Sequence, residues 1–245
     1  MKIDHEACCP REGSIKTFFN WSSGKDSALA LYSLLRDRQY NVATLLTTVN
    51  EHYGRVSIHG LRQELLQAQA QAIGLPLQTI SLPHEVTNEV YSRLMKEQVM
   101  ALCRLGYTHA AFGDIFLEDL RAYREAQLAA EGIKAIFPLW GRNTHDMARQ
   151  FIAAGFKAIV VSVDAAKLDA AMAGRNFDEL FLSDLPAEAD PCGEYGEFHT
   201  FCYDGPLFRY PVPFDKGETV YREYPLNDGQ AAGFWYCDLL PRSEL

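Results

Sequence analysis

The sequence predicts an α/β protein built on an open parallel sheet, with a smaller α+β domain towards its carboxyl end. Strand-like and helical patterns alternate through the first two-thirds of the chain. Such alternation implies right-handed βαβ units and therefore a parallel sheet. After Trp140 the alternation fades, and the chain becomes richer in Pro, Gly and acidic residues. We therefore expect a tail at residues 1–14, a first domain at residues 15–140 and a second domain at residues 141–245.

Apolar periodicity supports the individual elements. In the first helix Leu31, Leu34 and Leu35 recur at helical spacing, and the second helical pattern ends at Gly74, a stop signal. The predicted strands cover residues 15–21, 42–47, 77–82, 109–112, 133–138, 156–163 and 199–203. The predicted helices cover residues 25–38, 59–73, 88–105, 118–131 and 143–154. Thr144 is the expected cap of the last helix.

Composition and charge narrow the classes of function. The 245 residues are 48% hydrophobic and 22% charged, so the chain can bury a large core without disulfides. The net charge of −9 argues against a general nucleic-acid binder, because phosphate backbones demand surplus Lys and Arg. No apolar run is long enough to span a membrane, and the amino terminus lacks a signal-peptide core.

The six cysteines favour a reduced, cytoplasmic protein. None belongs to a C-x-x-C pair, and Cys103, Cys202 and Cys237 lie in largely apolar surroundings. The adjacent Cys8 and Cys9 suggest a metal site, although a mobile amino-terminal tail is the favoured interpretation.

The most informative segment is IKTFFNWSSGKDS at residues 15–27, which leads from the first strand into the first helix. Its last six residues are small, hydroxylated or charged: Ser22, Ser23, Gly24, Lys25, Asp26 and Ser27. A helix amino terminus offers N–H groups and partial positive charge, so it holds phosphate well. In an open α/β sheet this edge is where ligands bind. The segment therefore indicates a phosphate site, with a serine-rich helix cap as the alternative.

This segment resembles the S-G-G-x-D-S loop of the PP-loop ATP pyrophosphatases, and it matches neither a Walker A loop nor the dinucleotide-binding fingerprint. The resemblance implies a Rossmann-like sheet of the adenine nucleotide alpha hydrolase type that binds ATP through residues 22–27. One departure is Ser23, where the family usually has Gly. If the backbone there has a positive φ, serine costs about 1 kcal/mol or more. If φ is negative, Ser23 is unstrained and its hydroxyl can add a donor.

Three later segments narrow the resemblance. GDIFLEDLRAYR occupies residues 113–124, PLWG occupies residues 138–141, and DPCGEYGEFHTFCYDGPLF occupies residues 190–208. Together they resemble the diphthine–ammonia ligase family and its bacterial relatives over roughly residues 15–210. The last segment is the most specific, because G-E-x-G-E-F with D-G-P-L-F downstream rarely occurs by chance.

The resemblance implies an enzyme that adenylates a carboxylate with ATP, releases pyrophosphate, and then joins ammonia or an amine to it as AMP leaves. Mg²⁺ is the implied cofactor, with Asp26 and Asp114 as candidate ligands beside Gly113. Asp26 can equally serve the helix dipole as an acid in the first turn. Thr47 and Thr48 end the second strand, where this superfamily places the nucleoside, and β-propensity explains them equally well. The acceptor, small or protein-borne, stays unspecified.

Two arginines and a tryptophan are candidates for substrate binding. Arg121 and Arg124 lie three residues apart on one predicted helical face and can clamp a phosphate or an anionic substrate. Solvated helix charges are the alternative for both. Trp140 can stack on a ligand, although packing at the domain interface is slightly favoured.

The Gly-rich loop near residue 195 supplies a second group of candidates. Glu194 and Glu197 suggest an amine or metal site, with a plain acidic surface loop as the alternative, and they join Lys25 and Asp26 as candidate catalytic residues. His199 is a candidate proton carrier and substrate-binding residue, with a packed strand histidine as an equally good interpretation.

Two other functions stay open. A nucleotide-binding sensor without turnover is compatible with this fold, because fold alone does not settle function, and Ser23 keeps that alternative alive. A tRNA-modifying PP-loop enzyme is less favoured, because such thiolases usually need paired cysteines and a basic surface. Nucleic acid and membranes are therefore not expected as partners, and the sequence leaves a homodimer open.

Overall fold

The computed structural model describes residues 13–56, 60–84, 86–225 and 231–242. The strands are β1 (Ile15–Asn20), β2 (Tyr40–Asn50), β3 (Arg55–Val56), β4 (Leu77–Leu82), β5 (His109–Ala111), β6 (Lys134–Ile136), β7 (Lys157–Asp164), β8 (Phe198–Asp204), β9 (Phe214–Pro225) and β10 (Ala231–Pro241). The helices are α1 (Lys25–Arg36), α2 (Gln63–Ile73), α3 (Asn88–Arg104), α4 (Glu118–Ala129), α5 (Thr144–Ala153) and α6 (Glu179–Asp184).

The first sheet is mostly parallel. Its parallel strands lie in the order β4-β2-β1-β5-β6, and β3 pairs antiparallel with the end of β2. Adjacent β1 side chains point to opposite faces, so Phe18 joins a core with α3 and α4 residues, whereas Phe19 joins the core of α1 and α2. Strand order reverses between β1 and β5, and such a switch point is where open α/β sheets bind ligands.

The second sheet is antiparallel and packs on the α1 side of the first. Its order is β8-β7-β10-β9, and its apolar side chains belong to the same buried cluster as those of α1 and α2. The rings of Tyr32 in α1 and Phe156 before β7 meet edge to face with centroids 5.5 Å apart. The amino terminus of α1 therefore lies between the two sheets.

These strands and helices confirm the predicted fold class, and two details of the helices differ from expectation. The last helix of the first pattern is capped by Asn143, whose side chain accepts the Asp146 N–H at 3.1 Å. The expectation for Thr144 as the cap is therefore wrong, because its hydroxyl instead donates to Asp190 at 2.7 Å. The helix expected from residue 59 begins at Gln63, and residues 57–59 lie outside the described part of the chain.

The sequence patterns also missed the hairpin of β9 and β10. Most β9 residues are exposed on both faces, so the strand lacks the alternation of buried and exposed residues on which the predictions relied.

Several expectations concern cysteines and membranes. Cys103, Cys192, Cys202 and Cys237 are free thiols, whereas the Cys8-Cys9 pair and most of the expected tail lie outside the described residues. Among the helices of the described ranges, none has the length and apolar character needed to cross a bilayer.

A buried glutamine joins the first helical layer to the second sheet. Gln69 of α2 is fully buried; its side-chain oxygen accepts the Trp21 indole N–H at 2.8 Å. Its amide nitrogen donates to the carbonyls of Ser23 at 2.9 Å and Cys202 at 2.6 Å. One side chain thus connects the end of β1, the following loop and β8.

Gln69→Leu should destabilise the fold by about 2–4 kcal/mol, because it leaves a buried indole N–H and two buried carbonyls without this partner. Urea unfolding measures the change. Gln71→Leu, an exposed position on the same helix, is the matched control and should change stability little. Equal stability of the two variants would contradict this account of Gln69.

Candidate active site

The loop at residues 22–27 connects β1 to α1 at the carboxyl edge of the first sheet. The hydroxyl oxygens of Ser22 and Ser27 are 2.7 Å apart, and the Ser22 N–H donates to the Ser27 hydroxyl at 3.3 Å. Gly24 is the cap residue of α1 and offers no side-chain cap. The loop therefore presents backbone and hydroxyl groups at a helix amino terminus, where an anion is stabilised.

Ser23 adopts a left-handed backbone conformation with φ of 73°, in a fully buried position. A β-carbon makes this conformation costly for residues other than glycine. The Ser23 carbonyl accepts hydrogen bonds from the Cys202 N–H at 2.9 Å and from Gln69, while its hydroxyl donates to the Ser22 carbonyl. The positive-φ alternative raised by the sequence is the one observed, and contacts to β8 and α2 hold it.

Gly113 brings the segment after β5 against the first turn of α1. A β-carbon at this glycine would lie 2.9 Å from the Ser27 nitrogen and 3.1 Å from its Cα, closer than packing allows. This close backbone approach carries the next residue, Asp114, towards Asp26, and the two carboxyl groups interact electrostatically. Sequence reasoning placed Gly113 and Asp114 at the site, and the structure brings both to the loop.

Lys25 is directed into the protein, between the loop and the second sheet. Its side chain is 4% exposed, and its ammonium lies 2.7 Å from an Asp26 carboxylate oxygen and also donates to the Cys192 carbonyl. The rings of Phe177 and Phe198 flank it, with centroids 5.5 and 5.2 Å away. Burial alone lowers the pKa of Lys25, but Asp26 and other nearby acidic groups outweigh it, and the net pKa is raised.

Three carboxyl groups near this point interact electrostatically. Burial raises the pKa of Asp26 and of Asp114, although Lys25 and Arg124 respectively oppose the shift. Burial, followed by the charge of Asp26, raises the pKa of Glu194 to about 8. Each group is held in a partly desolvated setting close to like charge, which is the arrangement that perturbs carboxyl groups at functional sites.

The two candidate arginines have different environments. Arg124 forms an ion pair with Asp114 at 2.8 Å, and its guanidinium carbon lies 4.4 Å from the centroid of Phe112. Arg121 pairs instead with Glu125 on its own helix and lies over the Trp140 ring at 4.5 Å. Arg124 therefore reaches the carboxyl cluster, whereas Arg121 and Trp140 pack on each other.

Glu197 braces the acidic loop, which we define as residues 190–197. Its carboxylate is 3% exposed and accepts the backbone N–H groups of Asp190 and Tyr195, both at 3.0 Å. This geometry favours a structural contribution, and a catalytic contribution of Glu197 stays a prediction. His199 follows in β8, and burial and then Lys25 lower its pKa to about 4, so it is neutral at neutral pH.

Thr47 and Thr48 do not end the second strand as expected, because β2 continues to Asn50, and the two side chains differ in their contacts. Thr47 is buried and donates its hydroxyl to the Trp21 carbonyl at 2.7 Å, which fixes the chain entering the loop. Thr48 is half-buried and pairs in register with Ile80 of β4. The Thr47 hydroxyl is thus already engaged with the backbone.

Sequence reasoning missed several residues that build the site. Thr200 in β8 accepts the Lys25 N–H at 3.1 Å, and Asp190 accepts from the Cys192 N–H at 2.8 Å. Asp190 is the first residue of the segment at residues 190–208, so the sequence offered a reason to include it among the candidates. Thr200 and Gln69 carry no local signal, because their partners are distant in sequence.

The parallel sheet with its switch point, the hydroxyl-rich loop and the carboxyl cluster define an ATP-binding α/β protein of the PP-loop class. Comparison with protein families agrees with this class. Residues 15–135 match the diphthamide synthase N-terminal domain, and residues 143–227 match the diphthamide synthase C-terminal domain. The chain belongs to the diphthine–ammonia ligase family.

Individual relatives are similar at modest identity. The chain is 30% identical over 168 residues to diphthine–ammonia ligase of Rattus norvegicus, an alignment that covers 63% of each chain. It is 27% identical to the Mus musculus enzyme over 81% of this chain and 82% of the relative, and 26% identical to the Danio rerio enzyme over 81% and 86%. A U34-tRNA thiolase, NcsA from Methanococcus maripaludis, overlaps with 18% identity and a TM-score of 0.37, over 58% of this chain and 56% of that chain.

Replacing Ser23 tests the strain in the loop. Ser23→Gly and Ser23→Ala both remove the hydroxyl, but only alanine keeps a β-carbon in the left-handed conformation. We therefore expect Ser23→Gly to be more stable than Ser23→Ala by about 1 kcal/mol or more. Urea unfolding of the two variants measures the difference, and equal stabilities would show that this backbone conformation carries no strain.

The raised pKa of Glu194 makes stability depend on pH. The folded protein keeps this proton up to about pH 8, whereas an unfolded glutamate loses it near its ordinary pKa of 4.5. The free energy of unfolding contributed by this group is therefore fully present below pH 4.5 and is lost as pH rises through 8. Glu194→Gln does not titrate and therefore does not lose this contribution. The free energy of unfolding of the variant, relative to that of wild type, should increase between pH 4.5 and pH 8.

Denaturant unfolding at intervals across the same window measures this difference. Glu188→Gln, at an exposed position before the acidic loop, is the matched control and should follow the wild-type curve. A difference between Glu194→Gln and wild type that does not vary with pH would be inconsistent with the raised pKa of Glu194.

Proposed function

We propose that this chain is an AMP-forming ligase that activates a carboxylate with ATP and then transfers the acyl group to ammonia or an amine. The observation that carries the proposal is the close approach of Gly113 to the first turn of α1, which carries Asp114 towards Asp26 beside the hydroxyl-rich loop, with Glu194 interacting electrostatically with both. The family supports the same chemistry, because the relatives are named for joining ammonia to diphthine. For this chain we leave the acceptor as a carboxylate, small or protein-borne.

We further propose a division of labour between two domains. Residues 15–140, which carry β1 to β6, would bind ATP through the loop at residues 22–27. Residues 141–245, which carry the acidic loop, would hold the acceptor and the amine. The packing of Lys25 against Cys192 and Phe198 supports an acceptor site directly beside the nucleotide loop.

Residues 22–27 would hold the departing pyrophosphate. The amino terminus of α1 contributes partial positive charge, and the Ser22 and Ser27 hydroxyls can donate to phosphate oxygens. Catalysis of such a transfer depends mainly on positioning and on neutralising charge. Lys25 is engaged with Asp26 and Cys192, so its contribution would be to fix the loop and lend positive charge at short range.

Asp26 and Asp114 are a suitable donor set for Mg²⁺. Magnesium prefers oxygen ligands and is commonly held by one or two carboxylates together with substrate phosphates and water. Within the described ranges no group of three or more His, Cys, Asp or Glu is arranged as a metal cage, which agrees with a site completed by the nucleotide. Bound there, Mg²⁺ would neutralise charge on the phosphates.

The proposed reaction has two steps. A carboxylate oxygen of the acceptor attacks the α-phosphorus, the bond to the β-phosphate oxygen breaks, and pyrophosphate leaves. Ammonia or an amine next attacks the acyl carbon, the bond to AMP breaks, and a base takes the surplus proton. We assign that proton to the ionised form of Glu194, because a pKa raised to about 8 makes its carboxylate a stronger base than that of an ordinary glutamate.

A sensor that binds nucleotide without turnover is the second candidate. Ser23 keeps this alternative open, since a serine occupies a left-handed position where the resembled loop has glycine. Binding without products would support this alternative.

Incubation of the protein with Mg-ATP, ammonium and a pool of carboxylates should yield AMP and pyrophosphate with little ADP. Asp26→Asn should lower the rate of AMP formation by about 100-fold, because it removes a charge from the proposed metal site. Nucleotide chromatography measures both outcomes. Asp37→Asn, at the exposed end of α1, is the control and should retain activity.

Two results would contradict adenylation. ADP and inorganic phosphate as the main products would assign a different bond cleavage. Binding of ATP without any nucleotide product, under every condition, would favour the sensor.

A further inference from the structure

A groove lies between α3 and α4 on the face of the first sheet opposite α1. Its volume is about 110 Å³. Phe18 and Phe112 line its floor, Tyr91 and Met95 line the α3 wall, and Leu128 lines the α4 wall. An apolar recess of this kind, with a few polar groups at its ends, is the usual form of a small-molecule site. We call it the interhelical groove.

The groove is elongated along α4. Its lining on this side runs from Tyr123 to Leu128, which corresponds to about 8 Å of helix at 1.5 Å per residue, and continues past the end of α4 to Ala130 and Glu131. The far end is closed by the ion pair of Lys96 and Glu131 at 3.0 Å. A ligand with an apolar body about the size of a phenyl ring and a short chain matches this shape.

Arg124 gives the near end a positive charge. Asp114 engages the guanidinium at Nε, 2.8 Å away, and at Nη2, 3.3 Å away. A guanidinium carries five N–H donors, so this pairing leaves the Nη1 edge for a ligand. The flat face of the guanidinium rests on Phe112, which holds it at the groove.

The near end of the groove adjoins the candidate active site. Asn20, also in its lining, is the last residue of β1, and Phe112 directly follows β5, so the groove opens at the switch point of the sheet. Asp114 pairs with Arg124 and interacts electrostatically with Asp26. An anionic group bound to Arg124 would therefore lie beside the carboxyl cluster.

We propose that the interhelical groove binds the apolar body of a small carboxylic acid, an aryl or alkyl carboxylate, with its carboxylate against Arg124. The further identification of this acid as the acceptor rests on the proposed function. The acid is then oriented with its apolar end towards Lys96 and Glu131 and its reactive end towards Asp26.

Calorimetry with 3-phenylpropanoate as the probe tests binding without ATP. We expect at least tenfold tighter binding than for acetate, because the ring enters apolar surroundings, and at least tenfold tighter binding than for 3-phenylpropan-1-ol, which lacks the charge. Arg124→Gln should abolish the preference for the acid over the alcohol. No preference for 3-phenylpropanoate over acetate in the wild type would overturn the proposal.

Variants with a larger side chain in the groove test whether the probe binds there. Met95→Trp, on the α3 wall, and Gln127→Trp, on the exposed rim of α4, should each weaken probe binding at least tenfold. Met100→Trp, at an exposed position of α3 outside the groove, is the matched control. Thermal melting identifies any variant that fails to fold, and the two walls provide independent variants. Unchanged probe affinity in both folded groove variants would overturn the assignment.

The rate of AMP formation in the groove variants separates this proposal from the proposed function. If the variants that fill the groove form AMP at the wild-type rate, the acceptor assignment is overturned and adenylation stands. If the groove variants weaken probe binding but no carboxylate supports AMP formation from ATP, the groove stands as a binding site. Adenylation and the acceptor assignment are then both overturned.

Discussion

A single buried cation holds the candidate site together. The Lys25 ammonium is almost fully buried, and an unpaired charge in that position would be strongly destabilising. Asp26 comes from the same helix, whereas Cys192 and the rings of Phe177 and Phe198 come from the region of the second sheet. Docking of that region on α1 removes the charge from water and supplies the Cys192 carbonyl as a further acceptor. The conformation of the nucleotide loop and the docking of the second sheet consequently depend on each other.

The sequence predicted the parallel sheet because each strand and each helix has its own local pattern of apolar residues. Phe18 and Phe19 alternate between two faces, and the leucines of α1 repeat at helical spacing, so periodicity alone identifies these elements. The contacts between one element and another leave no such local pattern. The Gln69 contact with Ser23 spans 46 residues, and the Lys25 contact with Cys192 spans 167. No local pattern reports such pairs, so sequence reasoning placed the loop correctly without finding what fixes it.

The candidate site shows the same limit at the level of single side chains. Glu194 and Glu197 share one loop and one residue type, yet each Glu197 oxygen accepts a backbone N–H group while Glu194 interacts electrostatically with Asp26 and Asp114. Arg121 and Arg124 share one helix, yet only Arg124 pairs with Asp114. Sequence identifies the segment that carries the chemistry. The direction of each side chain depends on backbone contacts that only the folded chain supplies.

Departures from ordinary folding rules are concentrated in this one region. Ser23 has a left-handed backbone without being glycine, Lys25 is a buried charge, and Asp26 with Glu194 has a raised pKa. Each departure has a cost, and the contacts around it hold it in place at the expense of stability. Since natural proteins keep such conflicts where function requires them, their concentration at the end of β1 supports this region as the site of chemistry independently of any resemblance.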